Sequence, residues 1–242
     1  TSSNTAGSIT STVSANPTAG FSIVSYSGNN SSSATVGHGL SVSPDLVIVK
    51  DRSTSNYVWM VKFATLGGSI LELDGTTGAN GTSSYSTGTI GTLTNTTFGF
   101  TTNSSLQAVN NTGQNYIAYC FAEVEGYSKF GTYAANYSSN GPFVYTGFTP
   151  QFLMIKQSSG SNNWVMLDAK RVTYNPRNRF LSADNLNPEN NPPASETDFL
   201  SNGFKIRTNW SGLNYPSGGT FVYMAFASNP FGGDGVSPAT AQ

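Results

Sequence analysis

The chain has 242 residues, of which 37% are hydrophobic and 12% aromatic, enough to bury the core of one large or two small domains. Charged residues make up only 10%, against roughly 25% in an average soluble domain, and the formal net charge is −1, which excludes a general attraction to nucleic acid. No apolar run reaches the ~18 residues of a membrane-spanning helix, so no membrane insertion is expected.

Residues 1–19 are rich in Ser, Thr, Ala and Gly and nearly free of large apolar side chains. They read as a flexible N-terminal arm or linker, with pairing to a neighbouring subunit or an upstream domain as its function. From residue 20 onward, apolar blocks of four to eight residues alternate or run continuously between Gly, Pro, Asn and Ser, the signature of strands. They place strands near 20–27, 45–51, 56–64, 68–74, 96–102 and 115–124. A second series follows near 129–134, 142–147, 151–157, 163–169, 203–208 and 219–228. The runs Leu46–Val49 and Phe152–Ile155 are apolar on both faces, as central strands buried on two sides would be. Segments 75–95 and 185–198 read as long loops, and residues 170–186, broken by Pro176, show no sustained helical period. The glycine-bearing stretch 233–242 reads as a C-terminal tail. No signal peptide is visible, and a first residue Thr1 in place of Met implies a processed product or a fragment of a longer chain.

The two series match each other. Asp45-Leu46-Val47-Ile48-Val49-Lys50 corresponds to Gln151-Phe152-Leu153-Met154-Ile155-Lys156, each after a proline. Trp59-Met60-Val61 corresponds to Trp164-Val165-Met166, Phe98–Asn103 to Phe204–Asn209, and Tyr116–Ala122 to Phe221–Ala227. Four blocks keep order and a near-constant offset, which chance similarity in a biased composition does not produce. The expected fold is therefore all-β: two tandem, similar β-sandwich (jelly-roll-like) units from an internal duplication, repeat 1 over 20–126 and repeat 2 over 127–232.

Catalytic chemistry is hard to assemble from these residues. The single histidine, His38, lies between two glycines, and the aligned region Tyr145-Thr146-Gly147-Phe148 keeps the glycine but loses the histidine. That favours a backbone role for the turn over general-base chemistry. Aspartate and glutamate total 12; the pairs Glu72/Asp74 and Glu123/Glu125 share a strand face at i, i+2 but have no further support as a glycosidase dyad. Cys120 has no second cysteine and reads as a small buried hydrophobe. Cys/His spacing suits no zinc site and no Asp-rich loop resembles a calcium site, so no metal, cofactor or catalytic residue is assigned. The basic group Lys170, Arg171, Arg177 and Arg179 reads as a solvated face or subunit contact. The remaining candidates are aromatic residues in loops rich in Asn, Ser and Gly, able to stack on sugar rings or anchor a protein: Trp210 and Tyr215 first, then Tyr137, Tyr85 and Tyr57.

The segments Gly20–Gly28, Ala34–Leu40 and Pro44–Lys50 resemble the opening of a repeat-containing domain of unassigned function found in phage tail-fibre-like proteins of marine and cyanobacterial viruses. The run from Tyr116 to Gly131 is the most specific part of the resemblance, and Gly141–Phe148, Phe199–Phe204 and Tyr223–Phe231 extend it to nearly all of 20–231. The resemblance implies a non-enzymatic protein of the virion surface, extracellular in location. It would form a homo-oligomer, with the trimer usual for such fibres, alongside other virion proteins. Its leading role would be host-surface attachment as a tail-fibre or spike domain, through a host glycan or protein. The alternatives are a purely structural component, a capsid decoration or fibre-shaft subunit assembling through its N-terminal arm, and a carbohydrate-binding adhesin module.

Overall fold

A computed structural model describes residues 1–81, 88–101, 108–190 and 196–228. The chain divides into two compact units. The first holds Thr1–Gly75 and Ala79–Ala122; the second holds Thr76–Gly78 and Glu123–Gln242.

The first unit contains β1 (Ser2–Asn4), β2 (Ser11–Asn16), β3 (Phe21–Ser27), β4 (Thr35–Gly37), β5 (Leu46–Asp51), β6 (Met60–Phe63), β7 (Ser69–Glu72), β8 (Asn80–Gly81), β9 (Thr89–Leu93), β10 (Thr97–Thr101) and β11 (Asn115–Phe121). They form an antiparallel sheet in the order β1-β2-β3-β11-β5-β6-β7-β8 and a smaller one, β4-β10-β9. The strands of β3 and β11 alternate as a one-sided sheet requires. Val24 and Tyr26 point inward with Tyr116, Ala118 and Cys120, while Ile23 and Ser25 lie on the other face. One buried cluster draws on both sheets, including Val24, Val36, Val49, Ile90, Phe98 and Tyr116. The arrangement is sandwich-like, and neither sheet closes on itself.

The second unit contains β12 (Ser128–Ala134), β13 (Phe143–Tyr145), β14 (Phe152–Gln157), β15 (Val165–Asp168), β16 (Leu181–Ser182), β17 (Thr197–Leu200), β18 (Gly203–Ile206), the single-turn helix α1 (Ser211–Asn214) and β19 (Thr220–Phe226). Its sheets are β12-β19-β14-β15-β16 and β13-β18-β17. A second buried cluster, with Tyr133, Leu153, Ile155, Phe204, Phe221 and Tyr223, again draws on both. The four matched sequence blocks sit on β5 and β14, β6 and β15, β10 and β18, and β11 and β19, and each pair holds the same place in its sheet.

All twelve strands expected from the sequence are present. Three expectations are corrected. Residues 1–19 are not a flexible arm: β2 pairs with β3 over Ser11–Asn16, and Ile9 and Val13, the two larger apolar side chains of the segment, are buried. Two isolated apolar residues among hydroxyls give too weak a period to announce a strand, yet they suffice once β3 offers its edge. Segments 75–95 and 185–198 are not wholly loop, since β8, β9 and the start of β17 lie in them; Gly, Asn and Asp depress strand propensity there, and ladder pairing overrides it. The strand β5 is buried on both faces as expected, whereas Phe152 and Met154 of β14 are only half-buried. The tail at 233–242 lies outside the described residues.

The buried interior also fixes the behaviour of two singular side chains. Cys120 is fully buried, and burial pushes its thiol far up, so it is a packed apolar group. His38 is fully buried in the turn after β4, where its Nδ1 accepts from the Leu40 N–H at 3.2 Å and its Nε2 lies 3.0 Å from the Thr94 carbonyl. The neutral Nε2–H tautomer satisfies both contacts; protonating Nδ1 would break one and bury a charge. Burial accordingly lowers the His38 pKa below 6.5. The unfolded chain then binds the proton more readily than the folded one, so stability is complete above the unfolded value of about 6.5 and falls as pH drops through the folded pKa. The imidazole resonance of this single histidine, followed by NMR, is expected to titrate below pH 6.5; a midpoint at or above that value would show a solvated ring.

Candidate functional site

Two of the five aromatic candidates converge. Tyr137 lies in the loop after β12, and Tyr215 follows α1 in the loop before β19. Their rings meet edge to face with centroids 5.0 Å apart, and 53% of Tyr137 and 46% of Tyr215 remain exposed. Large rings left half in water while their backbones are fixed are suited to contact another ring or an apolar sugar face.

The sequence holds both backbones in place through buried amides. Asn214, fully buried at the end of α1, accepts from the Asn136 N–H at 2.8 Å. Its Nδ2 donates to Asn136 Oδ1 at 2.9 Å and to the carbonyls of Ser138 and Thr208 at 2.8 Å each. Asn136 Oδ1 also accepts from the Ser138 N–H at 3.1 Å. This closes an Asx turn around Tyr137, which adopts the left-handed conformation at φ 53°. On the other side, Gln157 of β14 donates from Nε2 to the Tyr215 carbonyl at 2.9 Å, and Asn162 donates to Gln157 Oε1 and to the Ser211 carbonyl. Tyr133 completes the frame by donating to the Leu213 carbonyl at 2.7 Å; burial pushes its phenol well above the ordinary range, so it stays a donor.

A parallel latch exists in the first unit. Asn110 is fully buried, accepts from the Asn29 N–H at 3.0 Å and donates to Asn29 Oδ1 and the Ser31 carbonyl, both at 3.0 Å. Asn30 between them has φ 58°, and Tyr26 donates to the Val109 carbonyl at 2.6 Å. Where the second unit has Tyr137, the first has Asn30, and so it lacks the exposed ring.

The other candidates have different roles. Trp210 is half-buried: its ring lies against Phe180 at 5.0 Å and over Gly212, packed on the second core. It is a structural wedge at the start of α1, because the tight turn that follows folds the indole back onto the sheet. Tyr57 is half-buried against the first core, and its carbonyl accepts from Lys50. Tyr85 lies outside the described residues. Sequence reading missed Phe143 and Tyr145, exposed at 46% and 64% on the outer face of β13. The alternation around buried Val144 was the available signal, but a strand's two faces look alike until its partner sheet is known.

The charged residues are largely engaged. Asp74 accepts from the Trp59 N–H at 2.9 Å, and Glu123 accepts from Lys129 at 2.6 Å and from the Phe130 N–H at 3.0 Å. Arg171 pairs with Asp168 at 3.0 Å and Glu189 at 2.6 Å, and Arg179 with Glu189 at 3.2 Å. Arg177 is buried over the Phe199 ring. Arg171 and Arg179 of this loop thus share one ion-pair network on Asp168 and Glu189. Among the described residues no three His, Cys, Asp or Glu side chains gather as metal ligands, and no helix is long and apolar enough to cross a membrane.

A family model described as Domain of unknown function (DUF7483) matches residues 1–230. No curated protein and no solved structure matches.

Proposed function

The chain belongs to the DUF7483 family, and from that premise we propose that it is a non-enzymatic attachment domain of a virion surface, a tail-fibre or spike element whose contact with the host is made by Tyr137 and Tyr215. The observation that carries this reading is the pair of half-exposed rings 5.0 Å apart on loops pinned by Asn214 and Gln157. Binding through a few preordered aromatic side chains avoids the entropy of ordering them on contact. A saccharide offers such rings its apolar C–H face and offers the surrounding Asn and Ser groups its hydroxyls, so a surface glycan is the preferred ligand. The phage assignment rests on the sequence resemblance.

The two units are further inferred to be copies of one jelly-roll-like sandwich. Supporting this are the order of the matched blocks, the corresponding strand orders and the paired Asn110 and Asn214 latches. The alternative of a structural component assembling through a free N-terminal arm is less favoured, because residues 2–4 and 11–16 pair within their own sheet.

On a glycan array the full chain is expected to give hits of micromolar affinity. Tyr137→Ala and Tyr215→Ala should each weaken them by about tenfold, the order of one lost aromatic anchor. Trp210→Phe should leave the affinity unchanged. Absence of glycan binding, or binding indifferent to both tyrosines, would remove the reading.

A further inference from the structure

We propose that the outer edge of β12 is a docking site for an extended segment of a partner polypeptide, one with small inward side chains and a basic residue placed against Glu125. The first unit shows how such an edge is filled. There β2 covers β3, pairing Val13 with Val24 and Ala15 with Ser22. Ser11 Oγ donates to the Gly37 carbonyl at 2.8 Å, and the side chains of Val13 and Ala15 lie against Gly39.

In the second unit β12 ends its sheet, and among the described residues no strand pairs with its outer edge. The Tyr127 carbonyl accepts from the Ala227 N–H and the Ala135 N–H donates to the Gly219 carbonyl, each at 2.7 Å. Odd-numbered residues therefore bond to β19, and the backbone groups of even-numbered ones face outward. The head of this edge is capped internally, Ser128 N–H by the Val124 carbonyl at 2.9 Å and Phe130 N–H by Glu123 at 3.0 Å. Beyond it, Thr132 and Ala134 are exposed.

Beside the edge lies a cavity of about 710 Å³ lined in part by Glu125, Lys129, Tyr145, Thr146 and Gly147. Tyr145 pairs with Gly203 of β18 as Gly37 pairs with Thr97 of β10, and Gly147 at φ 85° answers to Gly39 at φ 75°. The cavity thus stands where the first unit seats Ser11, Val13 and Ala15. The chain has two seats and one N-terminal strand pair. The N-terminal segment has Ile9, between the two strands, and Val13 of β2 buried in its own unit, so lending it to a second copy would uncover its own core. A separate polypeptide is the occupant without that cost.

Two local features set its chemistry. A methyl group added at Gly131 would stand 2.8 Å from the Tyr223 hydroxyl, so the incoming side chain facing that position must be small. Glu123 is neutralised by Lys129 at 2.6 Å, whereas Glu125 is exposed and has no ion pair among the described residues, which favours a basic partner residue near the head of the strand.

The test uses the full chain and a fluorescein-labelled peptide with the sequence of residues 1–16 carrying Asn16→Lys, read by fluorescence anisotropy. Saturable binding is expected. It should weaken about tenfold or more in Thr132→Pro, which removes an outward N–H from an edge that tolerates proline. It should weaken about threefold in the exposed Glu125→Arg, which keeps the test decisive if the proline variant folds poorly. No saturable binding at millimolar peptide, or binding indifferent to both substitutions, would overturn the proposal. So would dimerisation of the chain alone that Thr132→Pro abolishes, since the edge would then belong to a second copy.

Discussion

Deleting residues 1–16 is expected to destabilise the first unit by more than about 3 kcal/mol, the scale on which one buried Ile-to-Ala truncation alone falls. The segment holds Ile9 and Val13 in the core and gives β3 its second neighbour. Its loss exposes the edge of β3 and the inward side chains Val24 and Tyr26 along it. Hydrogen exchange read separately over 20–121 and 128–228 would locate the effect: protection should drop in β3 and β11 and persist in β12 and β19. Ile9→Ala should reproduce part of it, by about 2–4 kcal/mol. If the truncated chain kept the urea midpoint of the full one, residues 1–16 would be a dispensable arm after all. The family match beginning at residue 1 accords with a segment that is part of the domain.

Asn214→Ala is expected to cost about 2–4 kcal/mol and to abolish ligand binding at the tyrosine pair together. The substitution strips Asn214 from the buried Thr208 carbonyl and from the more accessible Ser138 carbonyl and Asn136 N–H, and a buried group that loses its partner costs about 1–3 kcal/mol, a water-accessible one less. Asn214→Asp should be no milder above the ordinary carboxylate range, because a charged oxygen would then face two carbonyls. Asn110→Ala supplies the control. It breaks the equivalent latch in the first unit and should cost a similar amount by urea unfolding, while leaving affinity at Tyr137 and Tyr215 unchanged. A binding defect in Asn110→Ala equal to that of Asn214→Ala would mean that the loss reports general instability and not loop geometry.

The candidate site was partly legible because exposed aromatic residues among Asn, Ser and Gly are conspicuous. Tyr137 and Tyr215 stood out on that ground, but so did Trp210, whose surroundings differ little in sequence. What separates them is the return of the chain: Phe180 and Gly212 close over the indole, and the Asx turn at Asn136 holds the Tyr137 ring outward. The amides that make the site rigid, Asn214 and Gln157, were invisible among many similar residues. An Asn that crosses 78 residues to cap a loop has no local pattern. Phe143 and Tyr145 were passed over because strand alternation tells which residues share a face, not which face is covered.

The sequence by itself determined the strands that carry strong apolar blocks, the similarity of those blocks between its two halves, and the all-β class. These follow from short-range periodicity, in which each residue's side is fixed by its neighbour. Tertiary structure alone decided that Ser/Thr-rich residues 1–16 become strands, that β3 is covered while β12 is open, and which tyrosines face water. Each of these depends on a partner distant in the chain, and the free energy that settles it, ladder hydrogen bonds and burial against another strand, appears only once that partner is in place.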